Sequence, residues 1–144
     1  MVTVKDLLGA KRDELWTVPP DATVYRALEV MAEHDVGALP VVDGARLVGI
    51  FSERDYARKV VLRGRTSRET PVSDLMIGQV VCVTPEDGIQ ACMALMTRCR
   101  VRHLPVLDDD RIVGIVTIGD VVKRMLDEQA QTIEHLETYI RGTY

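Results

Sequence analysis

The chain has 144 residues and a formal net charge of -4, from 18 Lys and Arg against 22 Asp and Glu. An acidic balance speaks against nucleic acid as the main partner, because neutralising phosphates needs a basic surface, and 4% aromatic residues leave little for base stacking. The 47% hydrophobic and 28% charged content is that of a globular protein about one domain long.

No apolar run reaches the roughly 18 residues of a membrane span. The opening MVTVKDLL lacks the apolar core of a signal peptide, so a reducing cytoplasm is the expected setting. Cys82, Cys92 and Cys99 are an odd number without CxxC spacing. Cys92 and Cys99 stand seven apart on a predicted helix and are expected to share its face as small buried hydrophobes.

In chain order, Thr3 and Asp6 form a capping-box pattern that predicts a short helix to about Leu8, ended by Gly9. Residues 15–18 read as a strand stopped by Pro19 and Pro20. Asp21 is the expected cap of a helix to about His34, with Val24, Ala27, Leu28 and Met31 at helical spacing. Two β-rich runs, 39–42 and 47–51, flank Asp43-Gly44-Ala45-Arg46, which is hairpin spacing with turn chemistry. A helix over 52–62 and a polar linker over 63–70 follow. The second half repeats the plan: helix 72–76, strand 80–83, helix 87–99, hairpin 103–116 and a last helix 118–140.

The repetition is literal. Sliding the sequence by 65 positions lays 102–120 over 37–55 without a gap, and nine of nineteen positions are identical. They include Leu39/Leu104, Pro40/Pro105, Gly49/Gly114 and Asp55/Asp120. Each repeat therefore reads helix, strand, helix, strand, strand, helix, with a parallel crossover at the strand–helix–strand step. The expected fold is α/β (α+β): two pseudo-symmetric repeats whose three-stranded sheets, too small to stand alone, pack sheet to sheet. The last helix outruns its counterpart. On it Val122, Leu126, Gln129, Ile133, Leu136 and Ile140 are spaced 4, 3, 4, 3, 4, a heptad seam with one polar member, read as a homodimer contact.

Both repeats carry G-x-x-[S/T]-x-x-D at a strand-to-helix junction, at Gly49, Ser52 and Asp55 and at Gly114, Thr117 and Asp120. By residue type these are capping boxes, which is a purely structural reading. The other reading is a nucleotide site. The glycine lets something bulky approach the strand, a helix N-terminus offers free N–H groups to phosphate, and an acceptor-only carboxylate can take both ribose hydroxyls. Residue types alone leave both open.

The duplicated pattern, an L-P-V-hydrophobic strand followed by this junction, resembles a tandem pair of CBS domains, the modules named for cystathionine β-synthase. The resemblance divides the chain into a first CBS repeat over 1–62, a linker over 63–70, a second repeat over 71–128 and a helical extension over 129–144. It implies a regulatory module that binds adenine nucleotides between the repeats: AMP first, also ADP, ATP, NAD(H) or S-adenosylmethionine. Carried over by position, Ser52 and Asp55, with Arg54 beside them, hold phosphate and ribose in one cleft. Gly37 and Ala38 line that cleft, with Val81 and Cys82 near the base. In the other, Thr117 and Asp120 play those roles, Arg102 and His103 face the phosphates, and Trp16 and Thr17 border the base. Pro40 and Pro105 shape the walls. Many relatives carry a basic residue where Gly37 and Ala38 stand, so the second cleft is expected to prefer more phosphate charge. A ribose carboxylate should also reject 2′-phosphorylated ligands.

No catalytic set or metal-ligand spacing emerges, so a non-enzyme is expected, acting on an unidentified protein partner. His34 and His135 read as surface residues, and Asp108-Asp109-Asp110 as a solvated turn without EF-hand spacing. The rival reading is a ligand-free dimerisation or docking module.

Overall fold

A computed structural model describes residues 1–10 and 15–141. The elements are α1 (Val4–Ala10), α2 (Val24–His34), β1 (Ala38–Asp43), β2 (Arg46–Ser52) and α3 (Glu53–Asp55). A π-helical segment, Tyr56–Val61, continues α3, and a 3-10 turn, Val72–Asp74, opens the second half. Then come α4 (Ile89–Cys99), β3 (His103–Asp108), β4 (Arg111–Thr117) and α5 (Ile118–Ile140).

The sequence repeat is reproduced bond by bond. β1 pairs antiparallel with β2, and β3 with β4, each with a register shift at the equivalent place, Val41/Val42 and Val106/Leu107. Helices α2 and α4 both end on a left-handed residue, Asp35 (φ 52°) and Arg100 (φ 55°). The Glu53 N–H donates to Gly37 O at 3.0 Å, and the Ile118 N–H to Arg102 O at 2.9 Å, fixing each helix start against its hairpin.

The expected third strand of each sheet is reduced to one parallel bridge, Val18 to Val41 and Val83 to Val106. Val18 donates to Pro40 O and receives from the Val42 N–H; Val83 and Leu107 repeat the arrangement around Pro105. Proline explains the truncation. The next ladder bonds would need N–H groups at Pro40 and Pro20 in one repeat and at Pro105 and Pro85 in the other, and proline has none. Each sheet is thus a two-stranded hairpin with one residue added on its β1 or β3 side, and in the first repeat β2 also exchanges two backbone bonds with Ile77.

The larger departure from the in-line plan is an exchange of opening segments. Val4 and Leu7 of α1 are buried in the second core, with Val83, Ile89, Cys92, Leu104 and Val116. Val72 and Leu75 are buried in the first, with Val24, Met31, Leu39 and Phe51. Matching backbone bonds hold both exchanges: Val4 N–H to Asp87 O and Val72 N–H to Ala22 O, each at 2.8 Å. The two hairpins meet through β2 and β4.

Smaller differences have local causes. Gly9 lies inside α1 and does not end it, because burial of Val4 and Leu7 outweighs the roughly 1 kcal/mol that glycine costs a helix. The α2 cap is Thr23 rather than Asp21; its hydroxyl accepts from the Arg26 N–H at 3.1 Å. At α1 the Thr3 N–H donates to Asp6 Oδ2 at 2.9 Å, and this bond holds the Asp6 carboxyl below the usual carboxylate range. Cys92 is fully buried, but Cys99, the last residue of α4, is exposed. The acidic turn carries two left-handed residues, Asp109 (φ 50°) and Asp110 (φ 63°), which makes it the tight turn of the second hairpin.

Candidate functional site

Both junction motifs are complete capping boxes. In the first, the Ser52 N–H and hydroxyl donate to Asp55 Oδ2 at 3.0 and 2.9 Å, and the Asp55 N–H donates to Ser52 Oγ at 3.2 Å. The other carboxylate oxygen, Oδ1, lies 3.3 Å from Lys59 Nζ, which also donates to Leu75 O at 3.1 Å. Asp55 is accordingly buried, its charge met from inside the chain. In the second box the Thr117 N–H donates to Asp120 Oδ2 at 2.9 Å and the Asp120 N–H to Thr117 Oγ1 at 3.2 Å. Asp120 remains half-buried.

Thr117 and Asp120 open on a cleft of about 290 Å³. Its walls come from both repeats: Trp16, Asp35, Val36, Gly37, Ala38 and Pro40 from the first half, and His103, Gly114, Ile115, Thr117 and Asp120 from the second. Leu8, Leu15 and Val113 complete the lining. Trp16 lies flat against His34, with ring centroids 3.4 Å apart and planes 8° from parallel, so α2's last turn holds the indole at the cleft. His34 is therefore half-buried against Trp16, not a free surface residue. A side chain at Gly37 would come within 3.5 Å of His103 Nε2, so the two repeats touch across the cleft there.

The sequence grouping of the candidate residues needs three corrections. Gly37 and Ala38 line the cleft of Thr117 and Asp120, with Pro40 beside them, not one shared with Ser52 and Asp55, because the start of β1 faces the start of β3 across the repeat interface. Trp16 and His103 are on that wall, whereas Thr17 and Arg102 are exposed and off it. What Arg102 contributes is its carbonyl, which anchors α5. Pro105 is buried within β3 and does not line this cleft, Arg54 is exposed, and Val81 and Cys82 are half-buried away from it. Burial pushes the Cys82 thiol above its ordinary range, and that of Cys92 also.

The third correction concerns the motif glycines. The close approach they permit is made by the chain itself. A side chain at Gly49 would run into Met76 and meet Ile77 O at 3.0 Å, and one at Gly114 would fall 2.7 Å from Leu8 Cδ2. The exchanged opening segments thus plug both glycines. Leu8, Asp35 and Val36 were missed by the repeat alignment. Asp35 carried a weak signal, a polar residue where a helix hands over to a strand. Among the described residues no group of three or more His, Cys, Asp or Glu could hold a metal ion. No helix among them is long and apolar enough to cross a membrane.

Two hairpins, exchanged opening segments and paired S/T-x-x-D junctions define a tandem module. The family model for the CBS domain matches residues 4–62 and 72–127, and the chain belongs to the CBS-domain family. It is 40% identical over 152 residues to the CBS domain-containing protein CBSX3, mitochondrial, of Arabidopsis thaliana, covering 99% of this chain and 73% of that protein. A CBS-domain protein from Burkholderia ambifaria superposes with a TM-score of 0.85 at 47% identity, over 89% of this chain and 96% of the other. CBSX2 solved in complex with AMP superposes with a TM-score of 0.74 at 30% identity, over 90% and 99% of the two chains.

Proposed function

We propose that this chain is a non-catalytic regulatory module that binds AMP in the cleft of Thr117 and Asp120. In this reading it works as a homodimer and passes occupancy to a protein target. The observation that carries the proposal is the meeting of an acid-and-hydroxyl helix start, an aromatic ring and the other repeat's β1 in one cleft. Asp120 would accept the ribose hydroxyls and the α5 N-terminus would face the phosphate. Trp16 would lie along the base. The AMP complex of CBSX2 supports an adenine mononucleotide. So does size, since about 290 Å³ sits at the lower end of small-ligand clefts and suits AMP before NAD(H) or S-adenosylmethionine. Charge points the same way. Among the described residues the wall carries two carboxylates, Asp35 and Asp120, against one imidazole, His103, a balance that suits the single phosphate of AMP. Because the wall spans both repeats, occupancy can favour one arrangement of them over another.

A second reading holds for the first junction. Asp55 already receives Ser52 and Lys59, which favours a structural cap there and one nucleotide per chain. Calorimetric titration of AMP, ATP, NADH and S-adenosylmethionine tests both, with Trp16, the chain's one tryptophan, as a fluorescent reporter for AMP. The expected result is one AMP per chain, lost roughly ten- to a hundredfold in affinity in Asp120→Ala, about 1.5–3 kcal/mol, and retained in Asp55→Ala. Two AMP per chain, one lost in each variant, would restore Asp55 as a ligand. Absence of binding by any of the four compounds would leave a docking module with empty clefts.

A further inference from the structure

Helix α5 leaves the core halfway along its length. Val121 is fully buried, yet every residue from 129 to 137 is exposed, whichever way it faces. A free segment of about 12 residues is marginal as a helix in water, so this one needs a cover. The pattern says which face is covered: Val122, Leu126, Ile133, Leu136 and Ile140 are 39%, 59%, 57%, 56% and 81% exposed along a single heptad seam.

From this we infer that the seam pairs with the same seam of a second copy, and that the two helices run antiparallel, centred on Gln131. This rests on the homodimer reading and adds its surface and orientation. The register follows from the sequence. About Gln131 the seam positions fall into symmetric pairs, Val122 with Ile140, Leu126 with Leu136, and Gln129 with Ile133. An antiparallel two-fold therefore closes every layer with no position left over. The flanking positions then decide between orientations. Antiparallel pairing sets Lys123 of each copy beside Glu137 of the other, Ala130 beside Ala130, and Met125 beside Tyr139. Parallel pairing instead sets Lys123 beside Ile118 and Glu137 beside Thr132, with no opposite charges facing, and stacks the two Gln129 side chains in one layer. Opposed helix dipoles favour the antiparallel arrangement too. Thr132 then meets Thr132 at the two-fold, and Gln131, Glu134 and His135 fall on the outer face.

Sedimentation of the full chain and of full-length variants tests the surface. Ile133→Glu places a charge in the seam and is expected to raise the dimer dissociation constant on the order of a hundredfold or more, with circular dichroism of the core retained. Lys123→Glu and Glu137→Lys are each expected to weaken the dimer about two- to tenfold, and the double exchange to restore it. Orientation is read by mixing Leu126→Cys with Leu136→Cys, both in a chain whose Cys82 and Cys99 are alanine. Antiparallel pairing yields the mixed disulfide, and parallel pairing yields Leu126→Cys linked to itself. A dimer indifferent to Ile133→Glu would overturn the seam while leaving the dimer reading intact. A monomeric wild type would overturn both, and a like-with-like disulfide would overturn the orientation alone.

Discussion

Gly49 and Gly114 occupy the same place in the motif but differ in what blocks a side chain. At Gly49 the obstruction includes the backbone carbonyl of Ile77, which cannot swing aside; at Gly114 it is the tip of Leu8. Gly49→Ala should therefore cost about 1–3 kcal/mol in urea unfolding, and Gly114→Ala less, with much of the smaller loss recovered in combination with Leu8→Ala. Recovery of Gly49→Ala by Met76→Ala should be only partial. Cys92 gives a pH-dependent prediction. Burial raises its folded pKa above the unfolded value of roughly 8.5, so its contribution is fully present below that pH and is lost as pH rises through the folded value. Unfolding curves from pH 7 to 10 should show stability falling on the alkaline side, and less steeply in Cys92→Ala. Exposed Cys99 should react first with a thiol reagent in the native protein. Residue identities were legible in the sequence at the motifs, where spacing itself is chemistry. What occupies the space over a glycine is a tertiary fact, and the sequence supplied only the vacancy. The exposure of Cys99 was missed because seven residues is two turns, which shares a face but not a depth.

Among the elements, the hairpins and α5 were readable from alternation and heptad period, and α5 ends where its seam ends. The third strands were overread. Apolar, β-branched stretches at 15–18 and 80–83 have strand composition, but four prolines at equivalent places remove the donors a ladder needs. Composition describes side chains, and the failure lay in backbone donors missing from both the segment itself, at Pro20 and Pro85, and the neighbouring strand, at Pro40 and Pro105. The second hairpin turn offers a direct test. Asp110 sits at φ 63°, where an L side chain is strained and glycine is not. Asp110→Gly should raise stability by up to about 1 kcal/mol, measured by thermal unfolding, without touching the cleft.

For the whole molecule, the repeat was legible and the exchange of opening segments was not. A 65-residue shift shows that two units exist, but both α1 and the turn at Val72 carry the same apolar signature and suit either core. The structure makes the choice through backbone bonds, Val4 N–H to Asp87 O and Val72 N–H to Ala22 O. The exchange predicts the behaviour of a nicked chain. Trypsin acting at the exposed Arg63, Arg65 or Arg68 should give two fragments that co-elute in gel filtration, because each holds part of the other's core. Fragments that separate under native conditions would mean that the exchange contributes little. In the uncut protein, denaturant should unfold both repeats in one transition, with intrinsic fluorescence and far-ultraviolet circular dichroism coinciding.

A duplicated module can ordinarily shed one copy and survive. Here deletion of either half would leave the other with a hole where Val4 and Leu7, or Val72 and Leu75, had stood. Leu-sized holes cost about 2–5 kcal/mol apiece, a large part of what a small domain has to lose. By trading their first helical turns, the two copies have made the ancestral doubling irreversible.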